Sequence, residues 1–228
     1  MAILVVKPWE IFVPYGSMTA QRLHRVPAQP LDLVFAAGSH VAILRYLWRT
    51  GGAHTGRAIG RAVGLSHHVV HRALQPIGGR GVVDVERQGR SLLYRLNKEH
   101  WLVREGLAPL FAAEAGVHAA IGAAVRRAAR VPVRCVILFG SEARGEPGSD
   151  SDVDLVCLTA LPATRAVAET NLTAAAGEFR REFGRRMSIV VWSVADFARR
   201  YRRRNRLVRE IAETGWVIAG ESLSRVLG

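Results

Sequence analysis

Apolar positions along this 228-residue chain follow two patterns, helical in the first half and strand-like in much of the second. From Ser39, which is expected to cap, Val41, Leu44, Leu47 and Trp48 fall on one helical face, and Gly51-Gly52 ends the run. A second short helix is predicted from Thr55 with Ile59 and Val63 inward. Gly64 turns the chain, and Ser66 caps a third helix with Val70, Ala73, Leu74 and Ile77 on its apolar side. Pro76 is expected to bend or end that helix. Residues 82–86 and 91–96 then read as two strands around the turn Arg87-Gln88-Gly89-Arg90. Residues 97–130 are alanine-rich and helical, and are read as a linking helix followed by one that packs on a sheet.

The second half changes period. Residues 131–139 form a continuous apolar run, the mark of a buried strand, which breaks at Gly140-Ser141. A polar, glycine-rich loop leads to a second apolar run at 153–158. A helix is predicted over 164–183, stopped by Gly184, and a third strand over 187–192. An arginine-rich helix with Phe197, Tyr201, Leu207 and Ile211 as its apolar side follows, then a short final strand or turn at 215–220. Asp152 and Asp154 flank Val153, so on an extended chain both carboxylates point to one side, close enough to share a divalent cation.

The loop carries Gly140-Ser141, Ala143-Arg144-Gly145 and Ser151-Asp152-Val153-Asp154-Leu155 in order. This resembles the signature of minimal nucleotidyltransferases of the DNA polymerase β-like superfamily. The resemblance implies that Gly140, Ser141 and Ser151 receive a nucleoside triphosphate, that Asp152 and Asp154 hold Mg²⁺ (or Mn²⁺), and that Arg144 neutralises developing charge. The chemistry is consistent with those residue types, since backbone N–H groups of small residues cradle phosphates while a hard cation bridges carboxylates and phosphates. The family usually places a third carboxylate on the next strand, as base or extra metal ligand. Here that position is read as Ser188, with no obvious replacement in Glu146, Asp150 or Asp196.

Three helices and a hairpin over residues 35–98 resemble a winged helix-turn-helix domain of the MarR-like kind. The third helix would present His67, His68, His71, Arg72 and Gln75 to a DNA groove, with Arg87 and Arg90 at the wing tip. His67 and His71 are also spaced as a metal pair, but no nearby cysteine or third ligand in register accompanies them, and zinc is not expected.

Composition sharpens the choice of partner. The formal charge is +13, from 32 basic and 19 acidic residues, and only Lys7 and Lys98 are lysines. A net positive sign points to a polyanion, whereas the preponderance of arginine is equally a mark of a GC-rich genome. Residues 199–209 hold seven arginines, which read equally as a binding surface for RNA, DNA or an acidic partner and as a solvated helix face. Cys135 and Cys157 fall inside predicted strands and are expected to be free, buried thiols. No apolar stretch is read as a membrane span, and a cytoplasmic location is expected.

The expected organisation is a two-domain α+β chain. An N-terminal arm occupies 1–34, a winged helix-turn-helix domain 35–98, a linker helix 99–115, and a transferase domain with a small mixed sheet flanked by helices 116–228. Gly16-Ser17-Met18 reads equally as a cloning scar, in which case residues 1–17 are vector-derived. The leading expectation is an enzyme that moves a nucleoside monophosphate from an NTP to a hydroxyl of a co-encoded protein or a tRNA, within a self-regulated toxin–antitoxin pair. A homodimer is compatible with it. The alternative is a transcriptional regulator whose transferase-like domain only senses nucleotide.

Overall fold

The computed structural model describes residues 35, 37–146 and 151–227. The arm expected over 1–34, the Gly16-Ser17-Met18 sequence and loop residue Asp150 lie outside them. The chain divides into two compact units, one ending at Phe111 and the other starting at Ala112.

In the first unit, helix α1 (Gly38–Thr50) is followed by a two-residue strand β1 (His54–Thr55), α2 (Gly56–Val63), α3 (His67–Gly79), β2 (Val83–Gln88) and β3 (Ser91–Leu96). The order in the sheet is β1-β3-β2, antiparallel throughout. Ile43, Leu44, Leu47, Ile59, Val70, Ala73, Leu74 and Ile77 are buried together, so the helical periodicity of the sequence is the face that builds this core. Thr55 and Ser66 cap their helices, accepting from the N–H groups of Ala58 and Val69. Gly60 lies so close to the Leu65 carbonyl that a Cβ there would collide with it, and this lets the turn between α2 and α3 close tightly.

Four details of this unit differ from expectation. Ala37, not Ser39, occupies the N-cap of α1 and makes no side-chain cap, because the helix begins at Gly38 and Ser39 already lies in its first turn. Pro76 does not end α3. The helix runs on to Gly79, since Leu74 and Ile77 are buried on its inner side while Pro76 is exposed and forfeits a single backbone bond. The hairpin turn is shorter than expected, because Gln88 pairs with Ser91 and leaves only Gly89-Arg90 as the loop. Gly89 has φ 60°, as the first central residue of a type II′ turn requires. The two helices expected over 97–130 are one helical run, a π-helical segment Val103–Leu107 passing into α4 (Ala108–Ala129).

That run corrects the reading of the sequence on membrane spans. Val103–Ala129 is long and apolar enough to cross a bilayer by length and composition, with a mean hydropathy of 1.4 over its most apolar window. Its apolarity comes largely from alanine rather than from large side chains, which is why no stretch stood out. Core helices of soluble proteins have the same length and composition.

The second unit continues with β4 (Val133–Leu138), a single turn α5 (Gly140–Ala143), β5 (Val153–Thr159), a 3₁₀ turn Pro162–Thr164, α6 (Arg165–Ala174), α7 (Ala176–Phe183), β6 (Met187–Ser193), α8 (Val194–Arg202), α9 (Arg206–Thr214), β7 (Trp216–Gly220) and α10 (Leu223–Leu227). The sheet order is β6-β5-β4-β7. β5 and β6 are parallel, and the other pairs antiparallel, which makes the sheet mixed. One face of the sheet packs Val136, Leu138, Leu155 and Cys157 against Ile121, Val125, Leu172 and Phe179. The other packs Ile137, Val156 and Leu158 against Phe197, Val208 and Ile211. Both central strands are therefore buried on two sides, which explains their unbroken apolar runs.

Two long predicted helices are each split. The first breaks at Ala175 into α6 and α7, and the arginine-rich one breaks at 203–205 into α8 and α9. Phe197, Val208 and Ile211 are buried, while Tyr201 and Leu207, assigned to the apolar side, are exposed in the turns that flank the second break.

Cys135 and Cys157 are free and buried. Burial pushes the Cys135 thiol up to about 11, with Glu221 adding to the shift and Arg134 opposing it. Burial, then the neighbouring Cys135, takes Cys157 to about 12. Since the thiolate is the reactive form, both cysteines should resist a thiol reagent at pH 8 in the folded protein and react on unfolding. Rapid labelling of two thiols without denaturant would contradict the buried strand placement.

Candidate functional site

The chain leaves β4 at Leu138, and the Phe139 N–H bonds to the Asp154 carbonyl, which keeps the two strands together to the edge of the sheet. Gly140 then adopts φ 77°. A Cβ built on it would run into the Asp154 carboxylate, so the glycine serves both the left-handed backbone and the close approach of that side chain. α5 opens there, and the N–H groups of its first turn have no partners within so short a helix.

Asp154 is the second residue of β5. Val153 before it is fully buried, while Asp152 and Asp154 are half-buried, the alternation expected if both carboxylates leave the sheet on one side. Asp152 forms an ion pair with Arg186 at 3.0 Å. On the adjacent parallel strand Ser188 is the register partner of Asp154, one strand spacing away. Among the described residues, no three His, Cys, Asp or Glu side chains gather as a metal site. Two carboxylates without a third protein ligand fit Mg²⁺ in the form in which substrate phosphates complete its shell.

A second group of side chains braces the loop. Arg185 donates to the Ser151 carbonyl from Nε at 3.2 Å and from Nη2 at 2.9 Å, and Nη2 also reaches Ser151 Oγ at 3.1 Å. Its Nη1 donates to Glu142 Oε2 at 2.6 Å, and His118 Nε2 lies 2.9 Å from Glu142 Oε1. Burial alone would raise the Glu142 carboxyl. The hydrogen bonds and charges of His118 and Arg185 together outweigh it, and the group sits below its ordinary value. Glu142 thus ties α4, α5 and the segment entering β6 to one carboxylate.

Of the residues singled out from the motif, Gly140 and Asp154 touch. Ser141 lies in the turn that Gly140 opens, and Ser151 is held by Arg185. Arg144 is engaged elsewhere, its Nη1 donating to Glu210 Oε1 on α9 at 3.0 Å. Both partners of that pair are substantially exposed, a setting in which an ion pair contributes about 0–1 kcal/mol and exchanges readily. Glu142, Arg185, Arg186 and His118 were not singled out. Glu142 occupies the variable position of the motif, and the others are ordinary charged residues until the fold brings them to the loop. A cavity of about 400 Å³ bounded by Val125, Leu172, Phe179 and Met187 includes neither aspartate.

In the first unit, His67, His68, His71, Arg72 and Gln75 are all exposed on α3, with the His67 ring 6.0 Å from that of His68 and 6.3 Å from that of His71. Arg90 sits in the hairpin loop. Arg87 does not, because it pairs with Leu92 within the ladder and lies below the tip.

A search of curated proteins gave no match. Among solved structures the chain is similar to NolR from Sinorhizobium fredii, at 19% identity over 43% of this chain and 94% of that one, with a TM-score of 0.34. It is similar to the AntR antimony-specific transcriptional repressor at 20% identity, covering 48% and 96%, TM-score 0.33. A toxin-antitoxin structure with AMP-PNP gives 16% identity, 45% and 72% coverage, and a TM-score of 0.29. Residues 124–217 match the family model described as nucleotidyltransferase domain. The aspartates, the Gly-Ser turn and all four strands of the mixed sheet fall within or at the edge of that match, so over this span the second unit is similar to nucleotidyltransferase domains, while the first has the order of helices and hairpin found in a winged helix-turn-helix.

Proposed function

We propose that the second unit binds a nucleoside triphosphate with Mg²⁺ (or Mn²⁺) and transfers its nucleoside monophosphate to a hydroxyl of a protein or an RNA such as a tRNA, releasing pyrophosphate. The observation that carries this reading is the fit between Gly140 and Asp154, which sets a carboxylate against the first turn of α5. In it, Gly140 and Ser141 hold phosphate oxygens. Asp152 and Asp154 hold the metal, which would supply charge stabilisation at the phosphates. Arg185 fixes Ser151 and the start of β5, so that the carboxylates are oriented before substrate arrives. Arg144, released from Glu210, is within the loop that meets the phosphates. Incubation with α-labelled NTPs and Mg²⁺ tests the proposal. Label on the protein, on a co-encoded partner or on tRNA is expected, and its absence from all three defeats the transferase reading.

A second reading is favoured by one observation, the serine paired with Asp154 where a third carboxylate would stand. In this reading the chain is a transcriptional regulator that binds nucleotide without consuming it. Both readings assign DNA to α3 and the wing, in a cytoplasmic protein that regulates its own operon, as a toxin–antitoxin component or otherwise, and acts as a homodimer. Replacing His68 and Arg72 together by alanine should weaken binding to the promoter of the chain's own operon by about tenfold or more, since a good base contact is worth roughly 1–3 kcal/mol. Anisotropy with specific and scrambled duplexes reads this directly. An equal loss on both duplexes would mean that α3 meets phosphates rather than bases.

A further inference from the structure

The seven arginines of residues 199–209, on α8, α9 and the break between them, do not form one uniform face. Arg199 is paired with Asp196 on its own helix, Arg209 with Glu213 at 3.4 Å, and the Arg200 guanidinium lies 5.1 Å from the centre of the Trp192 ring. The other four, Arg202, Arg203, Arg204 and Arg206, are exposed and have no carboxylate partner among the described residues. They crowd the corner where α8 ends and α9 begins. Arg204 holds φ 55°, a left-handed backbone in which glycine or asparagine would sit with less strain. Tyr201, 42% exposed, stands beside them as a flat ring open to solvent.

The corner is tied to the nucleotide site. Phe197 of α8 and Val208 and Ile211 of α9 are buried under the sheet, which fixes both helices. Arg206 lies four residues before Glu210 and so shares its face of α9, and Glu210 is the residue that meets Arg144 at the end of the Gly-Ser turn. Unpaired guanidinium groups with an interleaved aromatic ring suit phosphates and an unstacked base, whereas an acidic peptide would make no use of the ring.

We infer that the α8–α9 corner binds the phosphate backbone of a single-stranded polynucleotide and holds it alongside the Gly140–Ser141 turn. If the transferase reading above is right, such a strand is the acceptor class, and that clause alone rests on it.

The test uses the full-length chain and a fluorescein-labelled 12-nucleotide strand of fixed sequence, as RNA and as DNA, without NTP. Replacing the four arginines by glutamine (R202Q, R203Q, R204Q, R206Q) should weaken binding by about 10²-fold at 0.15 M salt and lower the slope of log K against log salt by about 3, at roughly 0.7 per lost phosphate contact. A control removing the same charge from α4, α6 and α7 (R126Q, R165Q, R180Q, R181Q) should have a much smaller effect. Tyr201→Ala should weaken binding while leaving the salt slope unchanged. RNA and DNA arms that both respond support the corner and rank its two sources. Equal losses in the two quadruple variants, or tighter and equally arginine-dependent binding of a poly-glutamate peptide, would overturn it. Because binding is read without turnover, a protein that binds the strand yet labels nothing overturns only the transferase reading.

Discussion

Asp154→Asn is expected to lower nucleotidyl transfer by about 10²-fold or more, the largest effect of any single conservative change in this chain. Asparagine keeps the shape that fits against Gly140, so the turn and β5 should remain in place. In the proposed site it removes one of the two carboxylates assigned to the cation. A metal contributes several kcal/mol to stabilising charge on a phosphoryl group, and each ~1.4 kcal/mol is a factor of ten in rate. The check is label transfer together with thermal melting. The variant should melt as the parent does without Mg²⁺ but lose the stabilisation that Mg²⁺ and nucleotide jointly confer on it. Unchanged transfer by Asp154→Asn would remove the metal role from β5.

Ser188→Asp should have the second largest effect, and in the opposite direction. Its register places the new carboxylate beside Asp154 on the next strand, roughly 4.8 Å away along the hydrogen-bonding direction. Without a cation the two like charges should destabilise the protein by about 1–4 kcal/mol, the range for unit charges ~4 Å apart between bulk water and a partly screened surface. With Mg²⁺ the loss should reverse, and transfer should rise by about tenfold or more if a base or third ligand is what limits turnover. Melting in chelator and in Mg²⁺, alongside label transfer, separates the outcomes. A restored melting temperature with no gain in transfer would favour the regulator reading, in which nucleotide is bound and kept.

Much of this was legible from residue order. The buried face of α3 follows directly from Val70, Ala73, Leu74 and Ile77, and the caps Thr55 and Ser66 from hydroxyls placed before apolar periodicity. β4 and β5 were legible because strands covered on both faces are apolar without interruption. What could not be read depends on distant parts of the chain. Pro76 signals a helix end locally, yet burial of Leu74 and Ile77 overrides it. Tyr201 and Leu207 lie on either side of the break at 203–205, in the last turn of α8 and the first turn of α9, and that break has no glycine or proline to announce it. The bracing of the site by Glu142, His118 and Arg185 joins three separate stretches of sequence, and charged residues of that kind carry no local sign of their partners.

The sheet order also bears on how the chain reaches its folded form. β4 and β5 are near neighbours in sequence and can pair early as a local antiparallel ladder, closing the Gly140–Ser141 turn on Asp154 as they do. β6 must wait for the α6–α7 crossover before it can lie parallel to β5, and β7 pairs with β4 only after nearly the whole domain has been traversed. Pairings between remote segments form late, because loop closure must precede any contact that rewards it. Arg185 and Ser188 arrive with β6, so the Gly140–Ser141 turn is shaped early and braced late. During synthesis the flank of β5 that later pairs with β6 is therefore an open strand edge, and the loop after β4 stands without its brace until Arg185 docks.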